Sequence, residues 1–336
     1  MKYLFLILLP AILFSCNNGE KIPDVSNVKV QLSTQRFEQD LFRLDSNNFN
    51  NGLQQLIHKF PSFGPNYLYT ILGADAKWTN DSTAAYVKGF VISYKKVFDS
   101  SQALFNNFLP YENEIRNGLQ FVKYYFPNYK LPANIITYIG PLDGFGDILS
   151  DDGLVIGLQL HMGKNFSLYS SELVQQTYPD YISRRFEPGY ITVNCLKNIM
   201  LDLYPEKLEE KSLVQQMVEK GKRLYLLSKF LPREEEYKLI GYTPTQLKDC
   251  YEHERNIWDL FIQNNLLQSI DDNVIKNYIG ESPKTQELGD ASPGNIGSFA
   301  GWQIVKKYMQ KHEGLSLQKL MATDDDIIFQ EAKYKP

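Results

Sequence analysis

The chain has 336 residues, of which 43% are hydrophobic and 22% charged, and a formal net charge of −4. That composition is ordinary for a globular protein and excludes a disordered one. The acidic balance excludes a nucleic-acid partner, which would need a basic stripe. The length is enough for one large or two small cores.

The chain opens with one cation, Lys2, and an apolar run from Tyr3 to Phe14. A bilayer span needs roughly 20 apolar residues, so this run does not cross a membrane. It has the length of a secretory h-region and predicts a signal peptide over residues 1–15. Its end, Leu13-Phe14-Ser15-Cys16, resembles a bacterial lipobox. Leu13 stands three places before the cysteine, and the small Ser15 suits a narrow peptidase cleft. The Cys16 thiolate can form a thioether with diacylglycerol. Cys16 is therefore the expected lipid attachment site, palmitate among its acyl chains, and the lipid anchor the expected contact with the membrane. Each buried CH₂ adds roughly 0.8 kcal/mol, and stable anchoring takes more than one chain. The alternative is an ordinary secretory signal with an incidental cysteine. Asn17 is not the aspartate that retains lipoproteins in the inner membrane, and no acidic run follows. A periplasm-facing protein of the cell envelope, held at the outer membrane, is the expectation.

Residues 16–34 read as a polar tether ending in a short strand at Val28–Leu32, ahead of a single mostly helical domain over 35–336. Apolar spacing predicts helices over Arg36–Leu44 and Phe49–Phe60. Pro65 starts a short helix through Leu72. Asp81 caps a helix over Ser82–Phe98, and another spans Tyr111–Phe126 between two prolines. Ile135–Ile139 and Leu154–Leu160 are short and rich in Ile, Val and Leu, as strands are. The turn-rich Gly140–Asp147 joins them. Pro188–Leu203 is apolar nearly all round, which predicts a buried helix. Ser212–Ser228 follows, with Gly221 on its apolar stripe despite a penalty of roughly 1 kcal/mol. Close approach of another backbone would explain that glycine. Thr243-Pro244-Thr245-Gln246 is a capping box with proline at the first helical position, opening a helix to about Asn264. Asp271 caps a helix to Ile279, Ser298 one through Met309, and Ser316 opens the last helical region. The expected fold class is α+β, predominantly helical with a small sheet.

Buried helices beside a small sheet make a zinc peptidase the first enzyme to test. H-E-x-x-H sets two imidazoles one turn apart on one metal. The four histidines are His58, His161, His253 and His312, and no two are four apart. His253-Glu254 is the one His-Glu pair, with Ile257 where the second ligand would stand. No metal and no cofactor are predicted. Glu254 nevertheless falls on an apolar stripe, where a carboxylate needs a partner or a raised pKa. With His253 it is the candidate polar site, to be weighed against a paired carboxylate at the core edge. Asp143, Asp147, Asp151 and Asp152 lack the spacing of an EF-hand and read as a solvated hairpin turn. Cys195 and Cys250 sit in apolar helical patterns as small hydrophobes. The 22 Tyr and 20 Phe are read mainly as core; an exposed cluster would instead suit a glycan-binding module of the envelope.

By its second half the chain resembles a known family. The residues that carry the likeness are the lipobox; Tyr125-Phe126-Pro127 before Pro132; Gly221-Lys222-Arg223-Leu224-Tyr225 leading to Leu231-Pro232; Ile240-Gly241-Tyr242-Thr243 leading to Ile257-Trp258; Gly301-Trp302-Gln303-Ile304-Val305; and Tyr334-Lys335-Pro336. In order and spacing they are similar to GldB, the gliding-motility lipoprotein family of Bacteroidetes. The resemblance implies a lipid-anchored envelope component needed for movement over surfaces, with other proteins of the gliding and type IX secretion machinery as partners. It supplies no catalytic residues, so the expectation is a protein that is no enzyme. The family in turn looks distantly similar to zinc peptidases in which a helix with H-E-x-x-H precedes one with Glu-Gly. Here the first such helix, Pro188–Leu203, has no histidine. In the second, Lys220 precedes Gly221 and Glu219 stands one place off. That kinship implies a zincin-like scaffold without its metal motif. The contrasting readings are a diverged hydrolase acting on peptide or peptidoglycan around Glu254, or the glycan-binding module.

Overall fold

The computed structural model describes residues 21–336; the lipobox and Cys16 lie outside the described residues. Strand β1 (Ser33–Arg36) leads into α1 (Phe37–Phe42), α2 (Phe49–Lys59), α3 (Phe63–Asn66), α4 (Asn80–Ser93), α5 (Lys95–Leu104) and α6 (Leu109–Tyr125). Three strands follow: β2 (Asn134–Tyr138), β3 (Ile148–Ser150) and β4 (Gly153–Gly157). Helices then resume with α7 (Glu172–Thr177), α8 (Asp180–Ser183), α9 (Ile191–Leu203), α10 (Leu213–Phe230), α11 (Glu236–Ile240), α12 (Pro244–Glu252) and α13 (Glu254–Gln263). The last are α14 (Asp272–Ile275), α15 (Ile296–Lys311), α16 (Leu317–Ala322) and α17 (Asp325–Ala332). The fold is α+β, mostly helical around one small sheet.

The sheet runs β1-β2-β4-β3, parallel from β1 to β4, with β3 antiparallel at the far edge. Its central strands are covered on both faces, which is why they read as near-continuous apolar runs, broken in β2 by the buried Thr137. Ile135, Leu154 and Ile156 face the main core, and Ile136, Tyr138 and Val155 face a second one. The second core is aromatic. Phe37 meets Phe60, Phe63 and Tyr67 edge-on, with centroids 5.4, 5.1 and 4.8 Å away. On the other face α6, α9, α10 and α15 supply Leu119, Leu196, Leu226 and Ile304.

The closest helix crossing is α10 on α15, and glycine permits it. A Cβ at Gly221 would lie 2.2 Å from the Gly301 carbonyl oxygen, and one at Gly301 would lie 1.7 Å from that of Met217. The close approach read from Gly221 is what the structure has.

Several boundaries differ. The first strand is Ser33–Arg36 rather than Val28–Leu32. It is a half-exposed edge strand of polar residues, so it has no apolar alternation to reveal it. The Ser82–Phe98 helix breaks at Tyr94, whose ring stacks on Phe90 at 4.3 Å and whose hydroxyl accepts from the Leu142 amide at 3.3 Å. Its cap is Thr79, which accepts from the Ser82 amide, not Asp81. The Thr243 box forms as read, with Gln246 returning to the Thr243 amide at 3.0 Å. Its helix nonetheless breaks at His253, between α12 and α13. Ser298 is not a cap. Helix α15 starts at Ile296 after the left-handed Asn295, and the Ser298 hydroxyl bonds the Asn295 side chain at 2.6 Å.

Candidate functional site

The Gly140–Asp147 turn is not solvated at its end. The Asp147 side chain is 3% exposed and that of His161 is 2% exposed. Asp147 accepts from His161 Nε2 at 2.8 Å, from the Asn194 amide at 2.9 Å and from the Gly157 N–H at 3.1 Å. The other ring nitrogen of His161 faces the Glu187 carbonyl oxygen at 3.2 Å. A carbonyl and an ionised carboxylate can only accept, so beside an ionised Asp147 both ring nitrogens donate, the arrangement of an imidazolium. Burial disfavours that charge, but the Asp147 carboxylate and its hydrogen bond outweigh burial and hold the pKa above 6.5. The pair ties the turn to the start of α9. Tyr138 Oη, 2.7 Å from the carbonyls of Phe145 and Gly146, holds it from the other side. Asp147 and His161 thus clamp the turn against β4 and α9.

The helices at the positions implied by the zinc-peptidase likeness are α9 and α10. Glu219 is buried and paired to Arg223 at 2.9 Å, Lys222 at 3.2 Å and Lys211 at 3.5 Å. Asp325 of α17 joins through Lys211 and Lys222, both at 2.7 Å. Burial raises the pKa of Glu219, but these cations prevail and hold its carboxyl below the ordinary range. Lys220 points elsewhere, to Glu206 at 2.7 Å. Among the described residues no cluster of three His, Cys, Asp or Glu could hold a metal.

Glu254 and His253 are neighbours in sequence but serve different surroundings. Glu254, half-buried at the start of α13, accepts from the Tyr334 hydroxyl. Its partner is therefore a C-terminal tyrosine, not the Lys or Arg expected of a core-edge carboxylate. Glu254→Gln keeps an acceptor for that hydroxyl and is expected to change unfolding stability by less than about 1 kcal/mol; urea titration of the variant measures it. His253 is exposed and lines a recess of about 410 Å³ with Asp249, Cys250 and Asn256. Cys195 and Cys250 are free and buried; burial pushes the Cys250 thiol up to about 12, so both act as hydrophobes.

One groove was not read from the sequence. It holds about 900 Å³ and is lined by β3 with its Asp151-Asp152 turn, by Tyr129–Asn134, and by Asn198, Leu201 and Asp202 of α9. Ile148 packs toward the aromatic core and Leu149 toward the main one, yet both line the groove. Consecutive strand residues point to opposite faces, so a groove touching both runs along the open rim of β3. Asp152 is spent on the amides of Ser62 and Phe63, at 2.9 and 2.7 Å. Asp202 accepts from Tyr129 Oη at 2.6 Å. Asp151 is exposed, and neither its carboxylate nor the side-chain amide of half-buried Asn198 has a partner among the described residues. Sequence reasoning missed the site because three half-buried residues make too short a strand to show alternation. The Ser150-Asp151-Asp152-Gly153 turn was the available signal for it.

The exposed aromatics do not gather here. Trp78 and Tyr86 form an edge-on pair at 5.3 Å, and neither lines the groove. No described helix is long and apolar enough to cross a membrane.

No curated protein and no solved structure matches the chain. A family model described as gliding motility protein GldB matches residues 18–336. Because that match takes in the whole folded body, both cores and the clamp included, the chain belongs to the GldB family of gliding motility proteins.

Proposed function

We propose that this protein is a non-catalytic, lipid-anchored component of the cell envelope that works with the gliding and type IX secretion machinery. Family membership over residues 18–336 carries the reading. In this account the signal peptide is removed, Cys16 takes the acyl chains, and the folded body faces the periplasm from the outer membrane. The occupied carboxylates support a holding role. Glu219 is ringed by cations, Asp147 is clamped and Glu254 is taken by Tyr334. None is left as a free general base, which must reach the proton it abstracts.

Deleting the gene is expected to abolish spreading on agar, and the intact gene to restore it. A Cys16→Ser form is expected to take up no labelled palmitate and to fail to restore spreading. Unimpaired gliding in the deletion strain would overturn the functional reading. Palmitate in the Cys16→Ser protein would overturn the anchor.

A further inference from the structure

We propose that the open rim of β3 is a docking site for an extended segment of a partner protein, bound by strand addition with a basic side chain next to an apolar one. The proposal rests on reading the protein as a holding component of the gliding apparatus, and names the form its partner takes.

Three observations carry it. The first is the sheet edge. β3 pairs with β4 alone among the described residues, so its outer rim presents backbone donors and acceptors to whatever enters the groove. Proteins normally blunt such an edge with a very short strand, Lys, Pro, a bulge or a covering element. Ile148-Leu149-Ser150 is short but has no Lys or Pro, and an open groove runs beside it, between β3 and α9 residues Asn198, Leu201 and Asp202. The described N-terminal segment arrives at the other edge, where the Ser33 amide bonds the Ala133 carbonyl oxygen at 3.1 Å, and leaves β3 free.

The second is charge. Asp151, Asp152 and Asp202 line the groove against one cation, Lys130. Asp151 is the carboxylate with no partner, and it stands beside β3. A Lys or Arg on an incoming strand would meet it. An acidic segment would be repelled.

The third is the wall facing the rim. Leu201 is 41% exposed there, and Asn198 offers an amide that both donates and accepts. An extended chain needs both, an apolar seat for alternate side chains and a polar group for a backbone unit not served by the strand. A rigid small molecule would use neither the length of the rim nor the single carboxylate at its end.

The test uses the full mature chain purified in detergent and a fluorescein-labelled octapeptide, Thr-Val-Lys-Val-Thr-Val-Lys-Val, followed by fluorescence polarisation. Binding is expected. N-methylation of alternate amides on one rim of the peptide should weaken it about tenfold or more, and on the other rim should be tolerated. Glutamate in place of the lysines should also weaken it about tenfold. The double variant Asp151→Lys, Leu201→Glu should lose binding while keeping its melting temperature, because both side chains are exposed. Equal affinity for both N-methylated peptides, or no binding of the parent peptide, overturns strand addition. The same double variant in the deletion strain is expected to reach the envelope and fail to restore spreading. If it restores spreading, the docking site falls while the gliding role stands. If the deletion strain itself glides, the gliding role falls, and the peptide measurement still decides the site.

Discussion

Gly301→Ala is expected to be the most damaging single-methyl change in the protein. A Cβ there would sit 1.7 Å from the Met217 carbonyl oxygen and 2.3 Å from its carbonyl carbon. Gly221→Ala meets the same crossing from the other helix, 2.2 Å from the Gly301 oxygen. A flexible side chain could swing away, but these obstacles are backbone inside two buried helices, so α10 and α15 would have to move apart. That separation would loosen Met217, Trp302 and Val305, all fully buried. Overpacking a core costs typically 1–3 kcal/mol, and an obstacle that cannot yield puts the expected loss at about 3 kcal/mol or more. Gly89 is the internal control. It lies on an exposed position of α4 with nothing within 4 Å of its built Cβ. There alanine should stabilise by about 0.5–1 kcal/mol through helix propensity and a less flexible unfolded chain. Urea titrations of the three variants give opposite signs if the crossing is as described. A Gly301→Ala protein as stable as the Gly89→Ala one would refute it.

The contrast between those glycines also shows how far the sequence could be read. Gly221 stood out because it occupied an apolar stripe, where a helix has reason to avoid glycine. Gly301 was legible as part of a family-like string, Gly301-Trp302-Gln303-Ile304-Val305, but its opposite number could not be known before the helices were docked. Long periodic helices such as α9 and α10 were visible for the same reason that they fold, since one stripe of each must be buried. Strands β2 and β4 were visible because both faces are covered. The edges of the sheet were not. β1 is Ser33-Thr34-Gln35-Arg36, and its place is fixed by pairing with Asn134–Thr137 rather than by any pattern of its own. β3 is a three-residue strand whose meaning as a groove wall depends on α9, some fifty residues later in the chain. Breaks at Tyr94 and His253 were hidden because neither residue is a helix breaker; at Tyr94, stacking on Phe90 and the contact to Leu142 accompany the bend. Most of all, the buried charges escaped. Asp147 was read as one of four aspartates in a solvated turn, and His161 as one of four histidines of which no two are four residues apart. Their partnership spans a strand and a turn, which no local spacing records.

That partnership gives the second large effect, and it depends on pH. Asp147→Ala removes the acceptor shared by His161, Asn194 and the Gly157 amide, all in a water-poor interior. Breaking a buried pair from one side leaves the other charge uncompensated, and the expected cost is about 3–5 kcal/mol. The sign of the pH dependence follows from the direction of the His161 shift. Its folded pKa lies above the 6.5 of a free ring. The folded state therefore holds the proton more tightly than the unfolded chain does, and the pair contributes its full stability below pH 6.5. As pH rises above 6.5 and through the raised pKa, the unfolded ring is already neutral while the folded one must give up its proton, and the contribution is lost. Stability measured by urea titration should thus decline from pH 6 toward mildly alkaline pH. Asp147→Asn keeps the shape and one acceptor oxygen but removes the charge that keeps the ring protonated, so it should be less stable at pH 6 and show a flatter decline. A slope unchanged in Asp147→Asn would mean that another group titrates, and that the ring between Glu187 and Asp147 is not the imidazolium its two acceptors demand.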